Sequence, residues 1–127
     1  MFPKLKAMVK TTKAMGDAAE DAALLHLQRA GLRLLKRNYR TPGRGGGEID
    51  LIMQDADGTL VFVEVRQRAT ASHGGAAGSV SSAKQRRIIF AARFYLMSLR
   101  TLPPCRFDVV TLEANGIDWI RAAFEAN

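Results

Sequence analysis

The sequence predicts an α/β domain with its elements in the order α-β-β-β-α-β-β. Three observations carry this. Two segments, 17–30 and 83–99, place apolar residues at helical spacing behind capping-box pairs. Three segments, 32–40, 48–54 and 59–67, read as strands, and a tight turn at Asp57-Gly58 joins the last two. A further strand pattern, RFDVVTL at 106–112, is followed by a short strand near Ile117–Ile120 and a last helical turn. At 127 residues one domain is the natural count. A chain of this size buries roughly two-thirds of its unfolded surface.

Taken in order, residues 1–13 carry Lys4, Lys6, Lys10 and Lys13 with only scattered apolar residues. They read as a basic flexible arm, which leaves 14–127 as one domain. In the first helix Asp17 and Glu20 form a capping-box-like pair and Gly31 is the stop. Thr41–Gly47 is a Pro/Gly loop. The segment 69–81 (ATASHGGAAGSVS) is rich in Gly, Ala and Ser and reads as a mobile loop. Ser82 and Gln85 then cap the second helix, which puts Ile88, Ile89, Ala92, Tyr95, Leu96 and Leu99 on one side before Pro103-Pro104 ends it.

Charge is unevenly placed. Nineteen Lys and Arg face twelve Asp and Glu, a net +7. Three acid-free stretches, 1–16, 22–47 and 65–107, hold eighteen of the nineteen bases. Such a balance predicts a polyanionic partner, nucleic acid ahead of a membrane surface. A single cysteine, Cys105, excludes an internal disulfide and a Cys-based zinc site and fits a reducing compartment. No apolar run approaches the roughly 20 residues that cross a bilayer. The N-terminus lacks a secretory h-region. The expectation is a cytoplasmic protein without a membrane partner.

The few carboxylates are the candidates for chemistry. With Ala56-Asp57-Gly58 as a three-residue loop, residue i faces residue 114 − i across the hairpin. One face then pairs Ile49, Leu51 and Met53 with Val65, Val63 and Val61. The other pairs Ile52 with Phe62, Asp50 with Glu64 and Glu48 with Arg66. A two-residue loop would mix charged and apolar residues on both faces. Asp50 opposite Glu64, with β-carbons about 4.5–5.5 Å apart, is destabilising unless a proton or a cation lies between them. Mg²⁺ suits such a site, with water and phosphate completing its shell. The alternative is that the two acids splay apart or pair with nearby arginines. Glu20 lies between Leu24 and Leu27 on the helical wheel, where a carboxylate needs a partner. Its alternative role is to cap its own helix.

Other residues carry weaker signals. PGRGGGE is neither a P-loop nor a dinucleotide fingerprint. It reads as a turn that delivers Glu48 and Asp50, with Arg44 near phosphate. Lys84, Arg87 and Ala91 share a helix face that is either solvated or phosphate-contacting. His26 reads as a boundary residue, His73 as a loop residue and Cys105 as partly buried filler. Trp119 and Tyr95 read as core.

GEIDLI (47–52), FVEVRQR (62–68) and RFDVV (106–110), preceded by Gly16-x-x-x-Glu20, resemble the YraN-like family of small, largely uncharacterised endonuclease-like proteins. That family is similar to the archaeal Holliday-junction resolvases within the restriction-endonuclease-like PD-(D/E)XK superfamily. The resemblance covers about residues 15–125. It implies a mixed central sheet flanked by helices. It implies an endonuclease that hydrolyses phosphodiester bonds in DNA, branched DNA included, with Mg²⁺ or Mn²⁺. Asp50 and Glu64 would be the metal pair, the Val65 carbonyl a further ligand and Glu20 the auxiliary acid. By the same analogy a homodimer is allowed for. One position departs from the pattern: the lysine of E-x-K is Arg66, which stays protonated and cannot serve as a base. Gln67 or Lys84 is left to supply that role. The alternative is a nucleic-acid-binding module that keeps the fold without the chemistry.

Overall fold

The computed structural model describes residues 12–68 and 80–126, with side chains from Gly16 onward. Its elements are α1 (Thr12–Arg29), β1 (Arg33–Arg40), β2 (Glu48–Gln54), β3 (Leu60–Gln67), α2 (Ser82–Leu96), β4 (Cys105–Glu113) and β5 (Gly116–Phe124), in the expected order. The five strands form one mixed sheet in sequence order, β1 to β5. β1, β2 and β3 are an antiparallel meander, and β4 and β5 are an antiparallel pair. β3 and β4 run parallel. A parallel step needs a crossover, and the α2 segment provides it.

Each face of the sheet carries one helix. α1 lays Ala23 and Leu27 on Leu51, Met53, Val61, Val63 and Val110. α2 lays Ile88, Ala91 and Ala92 on Ile49, Ile52, Leu60, Phe62, Phe107 and Val109. Strands covered on both faces read as continuous apolar runs, which is what LIM and LVFV are. Phe62, Phe107 and Phe124 stack in series at 5.5 and 5.0 Å across the α2 face.

The hairpin has the expected register: Leu51, Ile52, Met53 and Gln54 face Val63, Phe62, Val61 and Leu60. Gly58 takes φ 90 in the loop, and its N–H donates to the Asp55 carbonyl at 3.0 Å. The face alternation fails at one place. Ile49 packs with Ile52 under α2, not with Leu51 under α1. Asn38, at φ 53 in the neighbouring strand, lies between Arg37, paired with Leu51, and Tyr39, paired with Ile49. The local turn of β1 is taken up by β2 at Asp50, so strict alternation is lost there.

Several element ends differ from expectation. α1 begins at Thr12, so Asp17 sits within the helix and is no N-cap. The arm expected over 1–13 loses Thr12 and Lys13 to this helix, and residues 1–11 lie outside the described residues. So do 69–79, with most of the expected loop and His73. The N-cap of α2 is Ser81, one residue earlier than expected, and its Oγ accepts the Lys84 N–H at 3.1 Å. α2 stops at Leu96 because the chain tightens into three-residue turns, Ser98 N–H to the Tyr95 carbonyl and Leu99 N–H to the Leu96 carbonyl. Cys105 is exposed rather than partly buried. The last helical turn is absent: β5 continues to Phe124.

That continuation has a cause. Asp108, fully buried, accepts from the Ala122 N–H at 2.9 Å and from Trp119 Nε1 at 2.9 Å. It also accepts from Arg106 Nε at 3.1 Å, and Arg106 Nη1 reaches Asp55 in the hairpin loop at 3.1 Å. Ala122 is held at φ 50, where the β4–β5 register shifts between Phe107 and Val109. One carboxylate therefore holds β5 as a bulged strand and ties the β2–β3 turn to β4. The aspartate of RFDVV is thus a structural residue. Asp108→Ala leaves the Trp119 indole N–H, the Ala122 N–H and the Nε of Arg106 without their acceptor, so we expect a loss of about 3–5 kcal/mol. Urea unfolding checks this: the midpoint should fall with an unchanged m-value.

Candidate functional site

The site forms where β2 leaves β3. β3 remains paired with β4 as far as Gln67 opposite Leu112, whereas its pairing with β2 stops at Leu51 and Val63. Beyond that point the Val65 N–H donates to Asp50 Oδ2 at 2.8 Å. A side-chain oxygen thus replaces the missing ladder carbonyl and holds Asp50 beside Glu64. The opening is a cleft of about 780 Å³ lined by Glu20 of α1, Asn38 and Arg40 of β1, Asp50 of β2, Glu64 of β3 and Lys84 of α2, among others.

Glu64 is the buried member, with its side chain 4% exposed. Its Oε2 is met by Arg66 Nη1 at 3.4 Å and by Lys84 Nζ at 3.9 Å. Its Oε1 is buried and has no hydrogen-bond partner among the described residues. Burial, with the Asp50 charge and a hydrogen bond from the protonated carboxyl to Asp50 added, pushes the Glu64 carboxyl up to about 8 against the opposing pull of Lys84 and Arg66. A carboxylate oxygen inside the protein with no donor is the kind of atom a cation satisfies. The oxygen-only donors suit Mg²⁺ or Mn²⁺ rather than a softer metal. Among the described residues no group of three or more His, Cys, Asp or Glu is placed to hold a metal ion, so the two carboxylates are short of a third such ligand.

Glu20 points at this cleft and is only 14% exposed. Burial raises its carboxyl, and the Asp50 charge adds to that, against the lowering by Arg37. The capping alternative fails because α1 starts two turns earlier. Arg37 instead anchors Glu20: its Nε lies 3.3 Å from Glu20 Oε1, while Nη2 reaches Asp21 Oδ1 at 2.7 Å and the Asp17 carbonyl at 3.3 Å.

Arg66 does not pair with Glu48, as the extended register would have it, but with Glu64. The divergence of β2 and β3 removes the facing position. Glu48 turns instead to Lys84 Nζ at 3.2 Å and Arg40 Nε at 3.4 Å. Burial alone would raise the Glu48 carboxyl, but Lys84, with Arg40 and Arg87, holds it below its ordinary value. Lys84 is therefore a cleft residue, 17% exposed, and not a solvated one. Arg87 stands outside, lining a smaller hollow with Arg40 and Glu48. Arg44 is exposed in the 41–47 loop and does not line the cleft. Gly47 lets that loop press on α2, because a Cβ there would strike the Arg87 carbonyl and Ala91.

Sequence reasoning missed Arg37 and Asn38. Asn38 carried a signal, since asparagine tolerates the left-handed region better than other residues of β1. Arg37 carried none, because its partners lie on another element.

The family described as "Uncharacterised protein family UPF0102" matches residues 19–112, which hold Glu20, Asp50, Glu64, Arg66 and Lys84. The chain belongs to the UPF0102 family. A UPF0102 protein of Albidiferax ferrireducens is 74% identical over 125 residues, covering 98% of either chain. One from Paracidovorax citrulli is 65% identical over 91% of this chain and 86% of its own, and one from Cupriavidus pinatubonensis 54% identical over 98% and 94%. No helix of this UPF0102 chain, among the described residues, is long and apolar enough to cross a membrane.

The raised Glu64 carboxyl has a signed consequence. The folded protein keeps a proton that the unfolded chain releases between pH 4.5 and about 8, so this group's contribution to stability falls as pH rises through that window. Glu64→Gln cannot ionise. Its stability relative to the parent should rise from pH 4.5 to about 8 and level off above. Urea midpoints of both proteins at pH 5, 6.5 and 8 check this, and parallel pH profiles would contradict it.

Proposed function

We propose that this UPF0102 protein is a metal-dependent endonuclease that hydrolyses phosphodiester bonds in DNA, with branched DNA as the leading substrate. The observation that supports it best is the partnerless oxygen of Glu64 beside Asp50, in a cleft rimmed by bases. The similarity of GEIDLI and FVEVRQR to the restriction-endonuclease-like pattern points the same way. Asp50 and Glu64 would hold Mg²⁺ or Mn²⁺, with the Val65 carbonyl as a further donor. When bound, such an ion supplies Lewis-acid polarisation of a phosphoryl oxygen and a more acidic water.

The chain's own groups do the rest. Lys84 takes the part that Arg66 cannot: a compact ammonium, held between Glu48 and Glu64, positions the attacking water. Arg66, 40% exposed, turns its guanidinium from Glu64 to the incoming phosphate and neutralises charge as the phosphorus becomes five-coordinate. Glu20, kept in place by Arg37, orients water on the α1 side. Arg40 and Arg87 draw the strand to the cleft, and Arg44 adds a contact farther out. A two-fold substrate would be met by a homodimer.

One observation favours a second reading, a binding module without catalysis: Arg66 is already committed to Glu64. Labelled four-way, flapped and single-stranded DNA, incubated with Mg²⁺ or Mn²⁺ and compared with EDTA, separate the two. Asp50→Asn should abolish cleavage and leave DNA affinity within about twofold. Lys84→Ala should slow cleavage about 10²–10⁴-fold, the usual range for a group that assists proton transfer. Arg66→Lys should raise the rate. No cleavage by the parent or by Arg66→Lys on any of these substrates leaves the binding module. In either reading log affinity should fall linearly with log salt.

A further inference from the structure

α2 has two sides, and the cleft uses only its first turn. Its inner side is buried against the sheet. Its outer side shows Phe90 at 53% exposure, Phe94 at 40% and, just past the helix, Met97 at 81%. They follow each other at four- and three-residue spacing, so they form one stripe with neighbouring β-carbons about 5–6 Å apart. Arg86 stands one turn before Phe90, and Arg87 and Arg93 flank the stripe, all exposed. No acid lies between Ser82 and Met97.

A face that alternates exposed phenyl rings with guanidinium groups has a limited choice of partner. A second copy on this face would set Arg86, Arg87 and Arg93 near their own equivalents. An anionic polymer whose charges alternate with flat apolar rings matches both features, and single-stranded nucleic acid is one. In a duplex the base faces are already stacked on each other, so the rings could not reach them. Lys84 itself lies on the inner side, one turn before buried Ile88, but Arg87 stands between it and the phenylalanines around the helix and lines a hollow with Arg40 and Glu48, which also line the cleft. Lys84 and Phe94 are about 15 Å apart along the axis, at 1.5 Å per residue, the length of a few nucleotides.

We propose that the outer face of α2 is a docking platform for an unpaired nucleic-acid strand, whose bases stack on Phe90 and Phe94 and whose phosphates meet Arg86, Arg87 and Arg93, and which leads into the cleft at Lys84. This deepens the nuclease reading by naming the bound part of its substrate as single-stranded. It stands on the platform's own residues, none of which holds the carboxylate pair.

Binding without cleavage tests it. A labelled 12-nucleotide polythymidine and a labelled 20-base-pair duplex are titrated in EDTA by fluorescence anisotropy. The parent is compared with Phe90→Ala/Phe94→Ala and with Phe90→Leu/Phe94→Leu, which keeps apolar area but removes the rings. Both positions are exposed, so the fold should tolerate either pair. The alanine pair should weaken polythymidine binding at least about tenfold, about 1.4 kcal/mol, while duplex binding shifts less than about threefold. The leucine pair should also lose at least about tenfold. Leucine at parental affinity, or equal losses for strand and duplex, would overturn the platform. So would unchanged strand binding in the alanine pair, whether that pair instead dissolves a dimer seen by sedimentation or releases anionic phosphatidylserine vesicles. If strand binding follows the prediction and the parent cleaves nothing, the nuclease reading fails alone. If the parent cleaves and the alanine pair binds as before, the platform fails alone.

Discussion

The hydrogen bond from the Val65 N–H to Asp50 is the contact on which the rest of the site depends. A strand that loses its neighbour leaves N–H groups without partners, and an unpaired backbone donor inside a protein is costly. Here a carboxylate supplies the acceptor. The same bond that satisfies the backbone brings one acid to the side of another, and Glu64 is left buried with an oxygen that nothing in the described residues satisfies. The departure of β2 also opens the space into which Glu20 and Lys84 reach. Without it the hairpin would simply continue and its acids would face each other across a closed ladder.

Acids outnumber bases around that bond. Asp17, Glu20, Glu48, Asp50 and Glu64 share a cleft with Arg40, Arg66 and Lys84, and Arg37 stands behind Glu20. The pairs are graded by exposure. Arg40 with Glu48 is open to water and contributes little. Lys84, at 17%, and Glu64, at 4%, are shielded from solvent, so their fields act more strongly on one another. The outcome is one acid held below its ordinary range, Glu48, and one well above it, Glu64, on adjacent strands. Neighbouring carboxylates pushed in opposite directions are a common mark of functional sites.

Much of this was readable in the sequence because the signals were local. Asp57-Gly58 selects a three-residue loop and the loop selects the register, which holds as far as Leu51 opposite Val63; beyond it the bond from the Val65 N–H, not the register, sets Asp50 beside Glu64. The α1 wheel put Glu20 on the inner stripe. What was unreadable depended on partners far along the chain. Arg66 was paired with the wrong acid because strand divergence leaves no local mark. Lys84 was named only as a choice beside Gln67, and it is α2 packed on the sheet that sets its ammonium between Glu48 and Glu64; Arg37 came into view only with β1 in place beside α1. The end of β5 was misread as helix because Asp108, fourteen residues away, is what accepts the Ala122 N–H. The apolar pattern of α2 gave Ile88 and Ala92 on its inner face, but Ala91, expected on the basic face with Lys84 and Arg87, is buried there too, and the pattern said nothing of why phenylalanine stands on the outer one.

The open sheet has two free margins, and each is interrupted. β1 carries an extra residue between Leu34 and Lys36, a left-handed Asn38 and a row of basic side chains. β5 is bent where Ala122 leaves the extended region. A flat, unbroken margin would offer its amide row to any passing strand, another copy of the chain included, and so favour runaway sheet growth. Kinks at both margins, with the basic row along β1, oppose that. Among the described residues, then, neither margin of the sheet is a flat template for stacking edge to edge into fibres.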